Sequence, residues 1–166
     1  MRKPSILLLW ALLLLSLLEA ASGQSLELTG ESPSGGGNIV SINFAPEGAN
    51  VVALQFDLQF NPRKINMAGL RLAKGKTLSG EHGFEHRQIQ PGRMRVVIYP
   101  PIRQQMPPLA AGQTVILELP AADFISLEEG DIRFVPGSIV LSDALAKAVK
   151  LRQATNSVGR AKGRRK

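Results

Sequence analysis

The 166-residue chain contains no cysteine. That excludes structural disulfides, thiolate zinc sites and cysteine nucleophiles together. Aromatic residues make up only 5% of the chain, with one Tyr and one Trp. Trp10 lies in the N-terminal apolar run, so beyond it Tyr99 and the phenylalanines carry all the ring surface. Histidine is almost absent, at His82 and His86. Acidic residues are missing from one stretch: Lys147–Lys166 holds eight Lys/Arg and no Asp/Glu. Gln24–Ala146 holds ten Lys/Arg against twelve Asp/Glu. The formal charge of +7 is therefore a property of the C-terminal segment, and the body is close to neutral. Nucleic-acid binding needs basic groups held on a folded face, so that class of partner is not expected.

The first residues follow the order of an export signal. Arg2 and Lys3 precede a 13-residue apolar run, Ile6–Leu18, interrupted only by Ser16. Small residues follow at Ala20–Gly23. The run is shorter than the roughly 20 residues that span a bilayer core. Residues 1–23 are expected to be a removed signal peptide, which places the chain outside the cell, in the periplasm or at the cell surface. No membrane span is expected after its removal.

Beyond that segment the dominant period is two. Val52, Leu54, Phe56, Leu58 and Phe60 alternate with Ala53, Gln55, Asp57, Gln59 and Asn61. A strand with that pattern puts five large apolar groups on one face and small or polar groups on the other. Shorter alternations occur at Leu26–Thr29, Val40–Phe44, Met94–Tyr99 and Thr114–Leu119. Further short strands are expected at 84–89, 132–135, 138–141 and 149–152, with a weaker one in 65–73. Gly and Pro punctuate the chain about every ten residues, and no helix longer than a turn is expected. The pattern reads as an all-β jelly-roll sandwich of about nine strands over residues 24–152, with 153–166 as a basic, unstructured tail.

Four stretches carry a resemblance to a known family. The best is Val51–Pro62 (VVALQFDLQFNP); the others are Gly92–Tyr99 (GRMRVVIY), Ala111–Leu119 (AGQTVILEL) and Ile139–Ala144 (IVLSDA). In this order and spacing the chain resembles the cohesin domain of bacterial extracellular complexes. Asn61 stands where the family more often has Asp. The resemblance implies a nine-stranded flattened jelly roll without catalytic chemistry. It also implies a dockerin-type protein partner, held on one sheet face, in assemblies that degrade polysaccharide. Each stretch alone is also a generic half-buried strand. Neighbouring sandwich families, carbohydrate-binding modules among them, share the same physics. A carbohydrate-binding module and a structural domain of a secretion or surface assembly therefore stand as alternatives.

Candidate sites are few, and no catalytic residue, cofactor or metal is expected. His82 and His86, with Glu81 and Glu85, would converge on a metal only in a helix, and Gly80 and Gly83 oppose one. As strand residues they would stand about 13 Å apart. Both read as parts of a solvated loop. Glu128, Glu129 and Asp131 lack the spacing of an EF-hand and read as an acidic turn. Sugar binding needs ring platforms, and only Phe84, Tyr99 and Phe124 are left over from the core pattern. The expected binding face is the polar side of the 52–60 strand, Gln55, Asp57 and Gln59, continued by Asn61. Arg95 and Tyr99, on one face of their own strand, join it as interface-prone residue types.

Overall fold

The described residues of the computed structural model are 23–31, 39–102, 105–120, 123 and 127–158. Residues 1–22 of the expected signal peptide, Phe124 and residues 159–166 of the expected tail lie outside them.

Alternating apolar residues build eleven strands among the described residues: β1 (Gln24–Glu31), β2 (Ile39–Ala45), β3 (Val51–Phe60), β4 (Arg71–Lys74), β5 (Gly83–Gln90), β6 (Arg93–Tyr99), β7 (Gly112–Glu118), β8 (Ile132–Phe134), β9 (Val140–Asp143), β10 (Ala148–Val149) and β11 (Leu151–Ser157). They form two sheets. One has the order β11-β1-β2-β7-β4, the other β10-β9-β3-β6-β5, with β8 also paired to β3. Most connections pass from one sheet to the other, as in a jelly roll. The expected β-sandwich is the architecture found.

The alternation of β3 is realised from Leu54 onward. Leu54, Phe56, Leu58 and Phe60 are buried in one core with Leu26, Leu28, Val40, Ile42, Phe44, Val115 and Leu117 of the opposite sheet. Val52 is buried but outside that core: an irregularity between Val51 and Ala53 gives its expected place to Val51. Phe56 and Phe134 meet edge to face, with ring centroids 5.6 Å apart at 87°, a favoured aromatic geometry.

The strand count exceeds nine because the closing segment divides into β10 and β11, one in each sheet. β11 also runs past the expected boundary at Arg152. It pairs in parallel with β1, from Gln24↔Leu151 to Thr29↔Ser157, and ends at buried Val158. The ordered sandwich therefore extends to Val158, and residues 153–158 are not tail.

β3 is the central strand of its sheet. It pairs β6 along one edge, while β8 and β9 share the other. Between β8 and β9 the chain leaves the ladder at Pro136–Gly137. Here Ser138 stands in for the missing strand: its hydroxyl accepts the Asp57 N–H at 3.0 Å and donates to Val135 O at 2.7 Å. The Val135 N–H donates to Asp57 O at 2.9 Å. The turn between β5 and β6 is Pro91–Gly92, where Gly92 has φ 71°, a left-handed conformation suited to glycine.

Candidate functional site

On β3 the residues between the core positions point to the outer face of the six-stranded sheet. The register places Gln55 between Val140 and Val97, Asp57 beside Arg95, and Gln59 between Arg133 and Arg93. β5 continues these rows with Glu85 opposite Val97 and Arg87 opposite Arg95.

The expected binding residues do share this face, but they are not equivalent. Asp57 is fully buried, at 0% exposure, although it sits on the outward side. Two arginines cover it. Arg95 forks across both oxygens, Nε to Oδ1 at 2.7 Å and Nη2 to Oδ2 at 3.0 Å. Arg93 reaches Oδ2 from Nη2 at 2.6 Å and from Nε at 3.1 Å. The Arg95 hydrogen bonds hold the Asp57 carboxyl below the usual carboxylate range. Burial opposes them, and the Arg93 hydrogen bonds and the charge of both arginines reinforce them. Asp57 thus positions the cations and is not itself a contact surface, which corrects its expected place in an open polar face. Arg93, absent from the expected set, is its second partner. The signal for it was the two-residue spacing from Arg95.

Gln59 turns to the strand end, where its amide donates to Gly92 O at 2.9 Å. Tyr99 is 41% exposed and donates its hydroxyl to Glu85 Oε1 at 2.8 Å. That bond raises the Tyr99 pKa above its ordinary value. Its ring lies over Gly83, where a Cβ would overlap it, so glycine opposite the ring is a packing requirement. Val140, 50% exposed, adds apolar surface that the sequence pattern did not flag. Between these groups is a shallow hollow of about 260 Å³, lined by Gln55, Glu85, His86, Arg87, Arg95 and Val97. Its walls offer guanidinium donors, an amide and an aliphatic patch. They present no nucleophile paired with a base.

Asn61 belongs to a different structure. Its side-chain amide donates to Asp131 Oδ1 at 2.8 Å, and its own Oδ1 accepts the Arg63 N–H at 3.1 Å. Asp131 Oδ2 accepts the Glu128 N–H at 2.8 Å. The Lys64 ammonium lies 2.7 Å from Glu128 and 3.1 Å from Asp131. Burial pushes Asp131 up, but the Asn61, Glu128 and Lys64 interactions outweigh it and leave the carboxyl below its usual value. The acidic turn is thus a corner lock with a lysine as its cation.

The histidines are separate. His82 is buried, not part of a solvated loop: its Nδ1 is 2.8 Å from Ser79 Oγ and its Nε2 3.0 Å from Pro107 O. His86 sits on β5 with its ring 5.6 Å from that of Phe84. Among the described residues no group of three His, Cys, Asp or Glu is placed to hold a metal ion. Phe84 packs against the core and is only partly available. Among the described residues no helix is long and apolar enough to cross a membrane.

No family model matches the chain, and no curated protein matches it. Solved structures do. The sixth cohesin of scaffoldin B from Acetivibrio cellulolyticus, solved with a Cel5 dockerin, is 16% identical with a TM-score of 0.59. That match covers 81% of this chain and 98% of the other. The third ScaC cohesin of the same organism, solved with the ScaB dockerin, is 15% identical with a TM-score of 0.58, covering 80% and 93%. An OlpC cohesin–dockerin complex from Clostridium thermocellum gives 12% identity and a TM-score of 0.56, covering 85% and 95%. The sandwich has a cohesin-type fold.

Proposed function

We propose that this chain is an exported, non-catalytic cohesin-like module that binds a dockerin-type protein through the outer face of the β9-β3-β6-β5 sheet. The observation that carries this reading is that face itself. It combines half-exposed Tyr99 and Val140 with Val97, Gln55 and two arginines fixed by a buried carboxylate. Aromatic and arginine anchors around an aliphatic centre are the usual composition of a protein interface. The likeness to cohesins solved with dockerins supports the class of partner. Export rests on the N-terminal sequence, and a role in polysaccharide degradation rests on the resemblance alone.

The test is calorimetric titration of the protein with calcium-loaded dockerin domains encoded beside it. Binding in the micromolar range or tighter is expected, weakened about tenfold or more by Tyr99→Ala or by Val140→Asp. Absence of heat with every dockerin, together with retardation on a glycan gel that Tyr99→Ala abolishes, would transfer the face to carbohydrate binding.

A further inference from the structure

Among the described residues β5 is the outermost strand of its sheet and, at eight residues, the longest edge strand. Edge strands are usually blunted by shortness, by charged side chains (Lys above all), by Pro or by bulges; the charges of β5, Glu85 and Arg87, are of opposite sign. Gly83–Gln90 (GFEHRQIQ) contains neither Lys nor Pro, and its one irregularity falls at its far end, between Gln88 and Gln90. The other sheet edges differ. β4 has four residues and β10 two. β11 carries a single charge, Arg152.

The hydrogen-bonding direction of β5 follows from its neighbours. The Phe60 N–H donates to Gly92 O at 2.7 Å, in register with Gln59↔Arg93. On the far side of β3, the Val135 and Leu109 N–H groups donate to Asp57 O and Val51 O. Antiparallel pairing alternates, so even-numbered residues of β6 bond β3 and odd-numbered ones bond β5. Through Glu85↔Val97 and Arg87↔Arg95, β5 spends the backbone groups of Glu85 and Arg87 on β6. Those of Phe84, His86 and Gln88 point to the open edge.

We infer that β5 pairs antiparallel with β5 of a second copy about a two-fold axis at His86, joining two sheets into one. That register needs no strand adjustment. His86 faces His86 of the second copy as a hydrogen-bonded pair, and Phe84 faces Gln88 in the same way. Glu85 then falls opposite Arg87 of the second copy, twice by symmetry. Both are non-hydrogen-bonded positions, where opposed side chains come closest. Within one copy Arg87 faces the like-charged Arg95 across β6. In the pair it gains a carboxylate on its other side, so the row reads Asp57, Arg95, Arg87, Glu85. Glu85 holds the Tyr99 hydroxyl on one oxygen and retains acceptor capacity for a guanidinium. The occupant is another copy of this chain because the Glu-His-Arg triplet is complementary in charge to itself when reversed. The backbone pairing lies at the sheet edge, and Glu85 and Arg87 meet the second copy at the rim of the outer face.

Sedimentation equilibrium of the purified protein over a concentration series tests this. A concentration-dependent dimer is expected. Glu85→Arg or Arg87→Glu alone turns both attractive pairs into repulsive ones and should weaken association roughly ten- to thirtyfold. Mixing the two single variants recreates two complementary pairs, so the mixture should dimerise again, as should the double swap E85R/R87E. Circular dichroism shows that each variant is folded. A monomeric wild type throughout the series overturns the inference. So does a dimer indifferent to both substitutions, or a folded mixture that fails to associate.

Discussion

The two faces of β3 are built from the same ten residues and held by different physics. Inward, Leu54, Phe56, Leu58 and Phe60 are buried in a continuous apolar core. Each contributes by the area it removes from water and by close packing, so the effect of a change follows its volume. Outward, Asp57 is just as buried, but its stability depends on two named partners, Arg93 and Arg95. The inner face tolerates exchange of like for like. The outer face is specific to charge and geometry and arranges a surface as well as supporting the fold.

The largest expected effect is on the inner face. Phe56→Ala removes a fully buried ring and its edge contact with Phe134. It should cost about 3–5 kcal/mol in urea unfolding, while any protein still folded retains the face chemistry. On the outer face, Asp57→Asn leaves two guanidinium groups side by side. It should cost about 2 kcal/mol, below the roughly 3–5 kcal/mol of a fully buried pair, because both arginines reach water. Unlike the core variant, it should also impair partner binding by freeing Arg93 and Arg95. Equal loss of binding in both variants, once corrected for the folded fraction, would erase the distinction.

The same pair gives a pH signature. Asp57 titrates lower in the folded protein than in the unfolded chain. Its contribution is therefore complete above the unfolded value of about 3.9 and is lost as pH falls from there through the lower folded value. The stability gap between wild type and Asp57→Asn should be constant near neutrality and narrow below about pH 4. The gap for Phe56→Ala should not show this narrowing. The smallest effect concerns the rim. Tyr99 is the single tyrosine of the chain, so its ionisation can be followed directly by ultraviolet absorbance. It should titrate above its usual value, and Glu85→Gln should return it toward that value.

The inner face was legible from Leu54 to Phe60 because burial leaves a two-residue period that a sequence displays directly, while the irregularity that puts Val51 in the core in place of Val52 breaks that period. The outer face was legible only as polar. Alternation puts Asp57, Arg93 and Arg95 on outward sides, but cross-strand register depends on β3 meeting β6 across more than thirty intervening residues. Nothing local to Asp57 announces that it is covered. Val140 escaped notice because a four-residue strand is too short for its period to separate inside from outside. β11 was cut short for a related reason. LRQATNS has little apolar alternation, and its order comes from backbone pairing with β1 and from Val158 beyond it. The acidic turn looked like an isolated cluster because its cation, Lys64, is far away in sequence.

The parallel pairing of β1 with β11 has a mechanical consequence. Gly23 lies beside Arg152 at one end of this ladder, while Thr29 meets Ser157 at the other. A pull applied at Gly23 and Val158 therefore draws the two strands along their own axes in opposite directions. The hydrogen bonds between them are loaded in shear and share the tension, whereas an antiparallel terminal hairpin would peel open one rung at a time.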